Sequence, residues 1–153
     1  VKSVLEKLEA TLLSAAETVT PEGTEPRAVI HQWLHAIAHN LPLFAESRGV
    51  DKTSLIKSLE NQRLFKDPVS FYHLLTANLP IVPPRTAKFT FIDLFAGIGG
   101  TRIGAQNNGG VCVFSSEFEK NAQKTYLENH GEFPFGDITK ISVSYVHQYN
   151  LIK

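Results

Sequence analysis

Phe89-Thr90-Phe91-Ile92-Asp93-Leu94-Phe95-Ala96-Gly97-Ile98-Gly99-Gly100 is the stretch whose reading decides the fold. Residues 89–95 are a dense apolar run bounded by a glycine cluster, the pattern of a buried strand. A helix is expected from about Gly99 to Asn107, followed by Gly109-Gly110 and a second short strand, Val111-Cys112-Val113-Phe114-Ser115. Lys120 to Asn129 reads as helix, with Ala122, Tyr126 and Leu127 inward. Gly136-Asp137-Ile138 follows a short third strand or its remnant. The order β-α-β-α-β implies a parallel sheet with right-handed crossovers.

Upstream the texture is helical. Val4, Leu5, Leu8, Leu12 and Ala15 repeat at helical spacing, and Thr20-Pro21 ends that run. A second helix is expected after Thr24, with Glu25 and Pro26 in its first turn and Ile30, Trp33, Leu34, Ile37 and Ala38 as its apolar face. Residues 44–56 read as a helix, a turn at Gly49 and a second helix capped by Asp51 or Thr53. A further helix covers Pro68 to Asn78. Leu79-Pro80-Ile81-Val82-Pro83-Pro84-Arg85 holds three prolines in a stretch that can neither continue a helix nor sit inside a sheet. The expected division is therefore a helical N-terminal domain over 1–78, a proline-rich linker over 79–87 and an α/β domain over 88–153.

Composition sets outer bounds. The 153 residues are 42% hydrophobic and 20% charged, with fifteen basic residues balancing fifteen acidic ones. No global field favours nucleic acid or a membrane surface, so DNA binding would need a local basic face. One cysteine, Cys112, excludes a disulfide framework and a multi-cysteine metal site, and fits a reducing, cytoplasmic compartment. No segment approaches the ~18 apolar residues of a membrane span.

In such a fold the ligand lies outside the carboxyl ends of the strands, where glycines let the backbone approach it closely. A glycine loop alone is weak evidence. Dinucleotide proteins use G-x-G-x-x-G, and here Arg102 occupies the third glycine position. The neighbouring residues add weight. Glu117, twenty residues after Gly97 and just past the second strand, can accept two hydrogen bonds from a ribose diol. Phe118 can offer a ring face to a purine. Asp137 can accept from an exocyclic amine, and Ile138 can pack on the ring. Together these describe a nucleoside pocket with no demand for phosphates.

Three stretches carry a family resemblance. Phe91 to Gly100 resembles the first motif of DNA cytosine-5 methyltransferases, Val113-Phe-Ser-Ser-Glu-Phe118 the second and Gly136-Asp-Ile138 the third. Gly109-Gly-Val-Cys-Val-Phe114, Lys124-Thr-Tyr126 and the prolines at 80–84 are similar to the bacterial Dcm-type enzymes. The resemblance covers roughly residues 79 to 140. It implies a Rossmann-like S-adenosylmethionine-dependent methyltransferase fold. Phe95, Ala96, Gly97, Ile98, Gly99 and Gly100 would line the methionine side of S-adenosylmethionine. Glu117 would hold the ribose, Phe118 the adenine face and Asp137 the adenine amino group. Phe118 departs from the pattern, because Dcm-type enzymes usually carry Trp there; it still stacks, with less area.

The resemblance also implies a partner, DNA, and a chemistry this chain lacks. The family adds a cysteine thiolate from a Pro-Cys motif to C6 of a flipped cytosine. That motif lies after a fourth strand, which Asn150-Leu151-Ile152 would begin. Cys112 sits within an apolar strand and reads as a small structural hydrophobe. The chain is thus expected to be an inactive N-terminal portion of such an enzyme, its remaining motifs lost or supplied by a second polypeptide. The alternative is a non-catalytic DNA-binding or regulatory protein with a vestigial methyltransferase domain; a nicotinamide-dependent oxidoreductase is disfavoured by Arg102. Ala45, Gly49 and Leu55 match helix-turn-helix spacing, with Ser58 an imperfect fit. Lys52, Thr53, Ser54, Lys57 and Arg63 are the candidate DNA contacts. His31, His35 and His39 share one helix face, but no third ligand type lies nearby, so an exposed or partly buried amphipathic face is expected rather than a metal site.

Overall fold

The computed structural model describes residues 3–146. Asn150-Leu151-Ile152, expected to open a fourth strand, lie outside the described residues. Helix α1 (Val4–Glu17) starts on a reciprocal cap: Ser3 accepts from the Glu6 amide, and the Glu6 carboxylate accepts from the Ser3 amide. Its inward face is Leu8, Leu12 and Ala16. Val4 and Leu5, expected inside, remain exposed at the first turn.

Helix α2 (Pro26–His39) opens with Pro at its first position and closes at Asn40, which takes a left-handed conformation and donates its amide to Ala36 and Ile37. One apolar face was expected, yet every residue from Ala28 to Ala38 is buried. The reason is position. Helix α2 packs on α1 and α4 (Pro68–Thr76), and also on the sheet. Its polar side chains therefore have to be bonded. Gln32 donates to the carbonyls of Pro42 (3.2 Å) and Val113 (3.1 Å) and accepts from the Phe44 amide (2.8 Å).

The histidines of α2 follow the same rule, and of the expected exposed or partly buried face the exposed alternative does not hold. His31 and His35 are buried. The Nδ1 of His31 accepts from the Phe133 amide at 2.8 Å, so its proton is on Nε2, which donates to Glu9 at 2.7 Å. His39 sits between the carbonyls of His35 and Pro84.

The expected helix before Gly49 is a single 3-10 turn, Glu46–Arg48, because Ala45 ahead of it has φ 64 and breaks helical geometry. Helix α3 (Lys52–Asn61) is capped by Asp51, whose carboxylate accepts from the Thr53 amide. The proline-rich stretch that follows α4 is neither helix nor strand. Tyr72 donates its hydroxyl to the Pro83 carbonyl at 2.6 Å.

Strands β1 (Phe89–Leu94) and β2 (Gly110–Ser116) pair in parallel, from Phe89 opposite Gly110 to Leu94 opposite Ser116, with an irregularity between Phe91 and Ile92. Helix α5 (Gly100–Asn107) connects them, and α6 (Lys120–His130) follows β2. The third strand is reduced to one parallel bridge, Ser116 to Phe135, with the Glu117 amide donating to the Phe135 carbonyl at 2.8 Å. The result is a mixed α/β structure. A short helix, α7 (Val143–Val146), ends the described chain. None of its helices is long and apolar enough to cross a membrane.

A single buried cluster joins the helices to the sheet. It includes Leu8, Leu12, Trp33, Phe44, Leu59 and Phe71 together with Val113, Phe114 and Phe135. Phe44 is the hinge of this packing, with its ring 4.7 Å from Phe135 and 6.4 Å from Phe114.

Candidate functional site

The loop between β1 and α5 is held open toward solvent by its backbone. Phe95 has φ 56, an uncommon conformation for a side chain of its size, and its ring is 79% exposed. Ile98 is 57% exposed, whereas Ala96 between them is buried and its amide donates to Ser116 at the end of β2. Gly99 caps α5 with φ 94. A Cβ at Gly99 would collide with the His130 ring behind it. Glycine is therefore needed at this position twice, for conformation and for space.

Glu117 ties this loop to the end of β2. One carboxylate oxygen accepts from the Gly97 amide at 2.6 Å and the other from the Glu119 amide at 2.7 Å. Each oxygen keeps a lone pair for a further donor. Phe118, next in the chain, is 77% exposed. Asp137 is half-buried; one of its oxygens accepts from both the hydroxyl (2.7 Å) and the amide (2.9 Å) of Thr139, and these bonds hold its carboxyl below the usual range.

Phe118 and Asp137 line a common groove of about 650 Å³ with Gly136, Gln123 and Phe133, and the α1–α2 turn, residues 22–25, lines it too. Of the residues singled out in sequence, Phe95, Ala96, Gly97, Ile98, Gly99 and Gly100 form the loop that Glu117 joins, and Phe118 and Asp137 face the groove. Ile138 does not line the groove but packs against the core. A second, more apolar cleft of about 380 Å³ lies between α1, α2 and α4, lined by Leu5, Leu8, Leu34 and Leu74.

Behind the loop lies a buried polar network that sequence reasoning missed. Arg102, weighed in sequence only as a non-glycine, is fully buried and forms an ion pair with Glu132. It also donates to Gln106 (2.7 Å) and to the Tyr126 hydroxyl (3.0 Å), and Tyr126 in turn donates to Asp93 (3.4 Å). Burial opposes ionisation of Glu132, but Arg102 outweighs it and leaves the carboxyl below its ordinary range. Burial pushes His35, next to Glu132, down to about 4 and raises the Asp93 carboxyl. Cys112 is buried as well, its thiol pushed up to about 12 by desolvation. No local pattern announces the Arg102–Glu132 pair, whose members are thirty residues apart on different elements.

Parallel strands, a glycine turn opening a helix, and a carboxylate at the end of the next strand make this a mixed α/β structure with a glycine loop at the carboxyl edge of its sheet. Residues 89–152 match the family described as C-5 cytosine-specific DNA methylase. Over 84 residues the chain is 50% identical to the type II methyltransferase M.HpaII of Haemophilus parainfluenzae, covering 55% of this chain and 23% of that protein. It is 60% identical over 58 residues to M.BsuFI of Bacillus subtilis (38% of this chain, 14% of that protein). It is 44% identical over 62 residues to M.HhaI of Haemophilus parahaemolyticus (40% and 19%). Residues 89–152 are thus similar to the C-5 cytosine-specific DNA methylase family and to type II methyltransferases; the chain spans less than a quarter of the length of these relatives.

Proposed function

We propose that the chain is the cofactor-binding part of a Dcm-type DNA cytosine-5 methyltransferase and holds S-adenosylmethionine at the carboxyl ends of β1 and β2. The observation that carries this reading is the 2.6 Å bond between the Gly97 amide and Glu117, which fixes the glycine loop beside an exposed Phe118 and an acidic groove. The donor set fits the ligand. Glu117 retains lone pairs for a ribose diol, Phe118 offers an exposed ring to adenine, and Asp137 is an ionised acceptor for its amine. Phe95 and Ile98 offer apolar surface to the methionine side. The bound cofactor supplies an electrophilic methyl group; what these residues do is bind and orient it.

The substrate on this reading is DNA, with methyl transfer to cytosine C5. That step needs a thiolate nucleophile. Cys112 does not supply one, because it is buried and its thiol is held at about 12. These 153 residues by themselves are therefore expected not to methylate DNA. We read residues 79–87 as the connection between a helical segment and the methylase segment. The helices serve the sheet as a packed support, a reading favoured by the common core through Phe44 and Phe114.

Calorimetric titration with S-adenosylhomocysteine and with NAD tests the cofactor assignment. Heat from the first alone supports it, whereas binding of NAD alone contradicts it.

A further inference from the structure

The groove beside Phe118 is not built by the methylase segment alone. One of its walls is the turn between α1 and α2, a hundred residues away in sequence and outside the stretch that matches the family. Two contacts fix that wall. The Gly136 amide donates to the Thr24 hydroxyl at 3.1 Å. Gly136 also lies so close to the Gly23 carbonyl that any Cβ at 136 would collide with backbone. Such a clash is not relieved by a rotamer change, so the glycine of the third motif has a packing cause of its own. The next residue is Asp137, and a Cβ added at Gly23 would come within 3.9 Å of the Asp137 Cβ.

We infer that the α1–α2 turn, residues 22–25, is an integral wall of the nucleoside groove. Thr24 is its positioning residue, holding the Phe135–Gly136 peptide, one residue ahead of Asp137, so that the Asp137 carboxylate faces the space beside Phe118. This rests on the reading that the groove receives the adenosine end of the ligand. It assigns the helical segment a part in ligand binding that does not involve DNA.

The test uses the whole chain and S-adenosylhomocysteine as the probe, with Thr24→Val, Thr24→Ser and Phe118→Ala. Thr24→Val keeps the side-chain volume and removes the acceptor. It is expected to weaken binding roughly five- to tenfold, the worth of one net hydrogen bond. Thr24→Ser restores the hydroxyl and is expected to recover affinity to within about twofold, a rescue that loss of general packing would not give. In the ligand-free protein, amide exchange at Gly136 should quicken in Thr24→Val and not in Thr24→Ser. Unchanged binding in Thr24→Val overturns the inference, as does Thr24→Ser behaving like Thr24→Val. If Phe118→Ala loses the probe while Thr24→Val keeps it, the cofactor reading stands and this inference falls. If the unaltered chain ignores the probe, both fall.

Discussion

The loop ahead of helix α5 and the buried face of that helix are opposites. In front, Phe95 and Ile98 expose apolar side chains around glycines, and one of those residues holds a strained backbone. Behind, Arg102 and Gln106 are buried in a network with Glu132, Tyr126 and Asp93. Only three residues lie between Ile98 and Arg102. The front leaves surface uncovered, the expected state of a ligand loop, and the back fixes the helix that carries it. Rigidity behind the loop is what lets the front be open without collapsing.

This contrast predicts separable effects. The largest is on stability. Arg102→Met leaves Glu132 buried and unpaired and should cost about 3–5 kcal/mol in urea unfolding. The double variant Arg102→Met/Glu132→Leu should recover much of that loss, since a buried pair replaced by apolar groups of similar size is often neutral.

Acid should act on the same side. His35 and His130 are buried, and burial holds both at about 4 in the folded chain against 6.5 when free. Below 6.5 the unfolded chain takes up protons that the folded chain refuses, so stability is full above 6.5 and falls as the pH drops toward 4. For His35 the loss has an upper bound of about 3.5 kcal/mol, at about 1.4 kcal/mol per unit. Thermal unfolding at pH 7 and pH 4.5 measures it, and His35→Gln should flatten the dependence.

Gly99→Ala lies where the two sides meet. Its positive φ and the His130 ring should together cost about 2 kcal/mol, read from the same unfolding curves, and weaken nucleoside binding as well. At the front, Phe118→Ala should move stability by less than about 0.5 kcal/mol while lowering affinity for S-adenosylhomocysteine roughly tenfold, a stacking loss.

The front of α5 was legible in sequence and the back was not. An apolar run ending in glycines announces β1 and its turn, because strand burial and backbone freedom are local properties. Pro26 and Asp51 announce helix starts for the same reason. Helix α2 shows the limit: periodicity predicts one buried stripe, whereas Gln32 and His31 find partners at Val113 and Phe133, 81 and 102 residues away. Such bonds exist only once the sheet is in place. Ala45 defeats the expected helix before Gly49 through a positive φ that its residue type does not advertise. At the site, the loop and Glu117 follow from spacing, while the α1–α2 wall of the groove follows only from packing.

Amide chemical-shift mapping during titration with S-adenosylhomocysteine addresses the central claim most directly. Perturbations are predicted to concentrate at Phe95 to Gly100, Glu117, Phe118 and Asp137, with the wall at residues 22–25 responding. Shifts confined to the apolar cleft around Leu5, Leu34 and Leu74, or none at saturating probe, would contradict the assignment of this loop and groove to the cofactor.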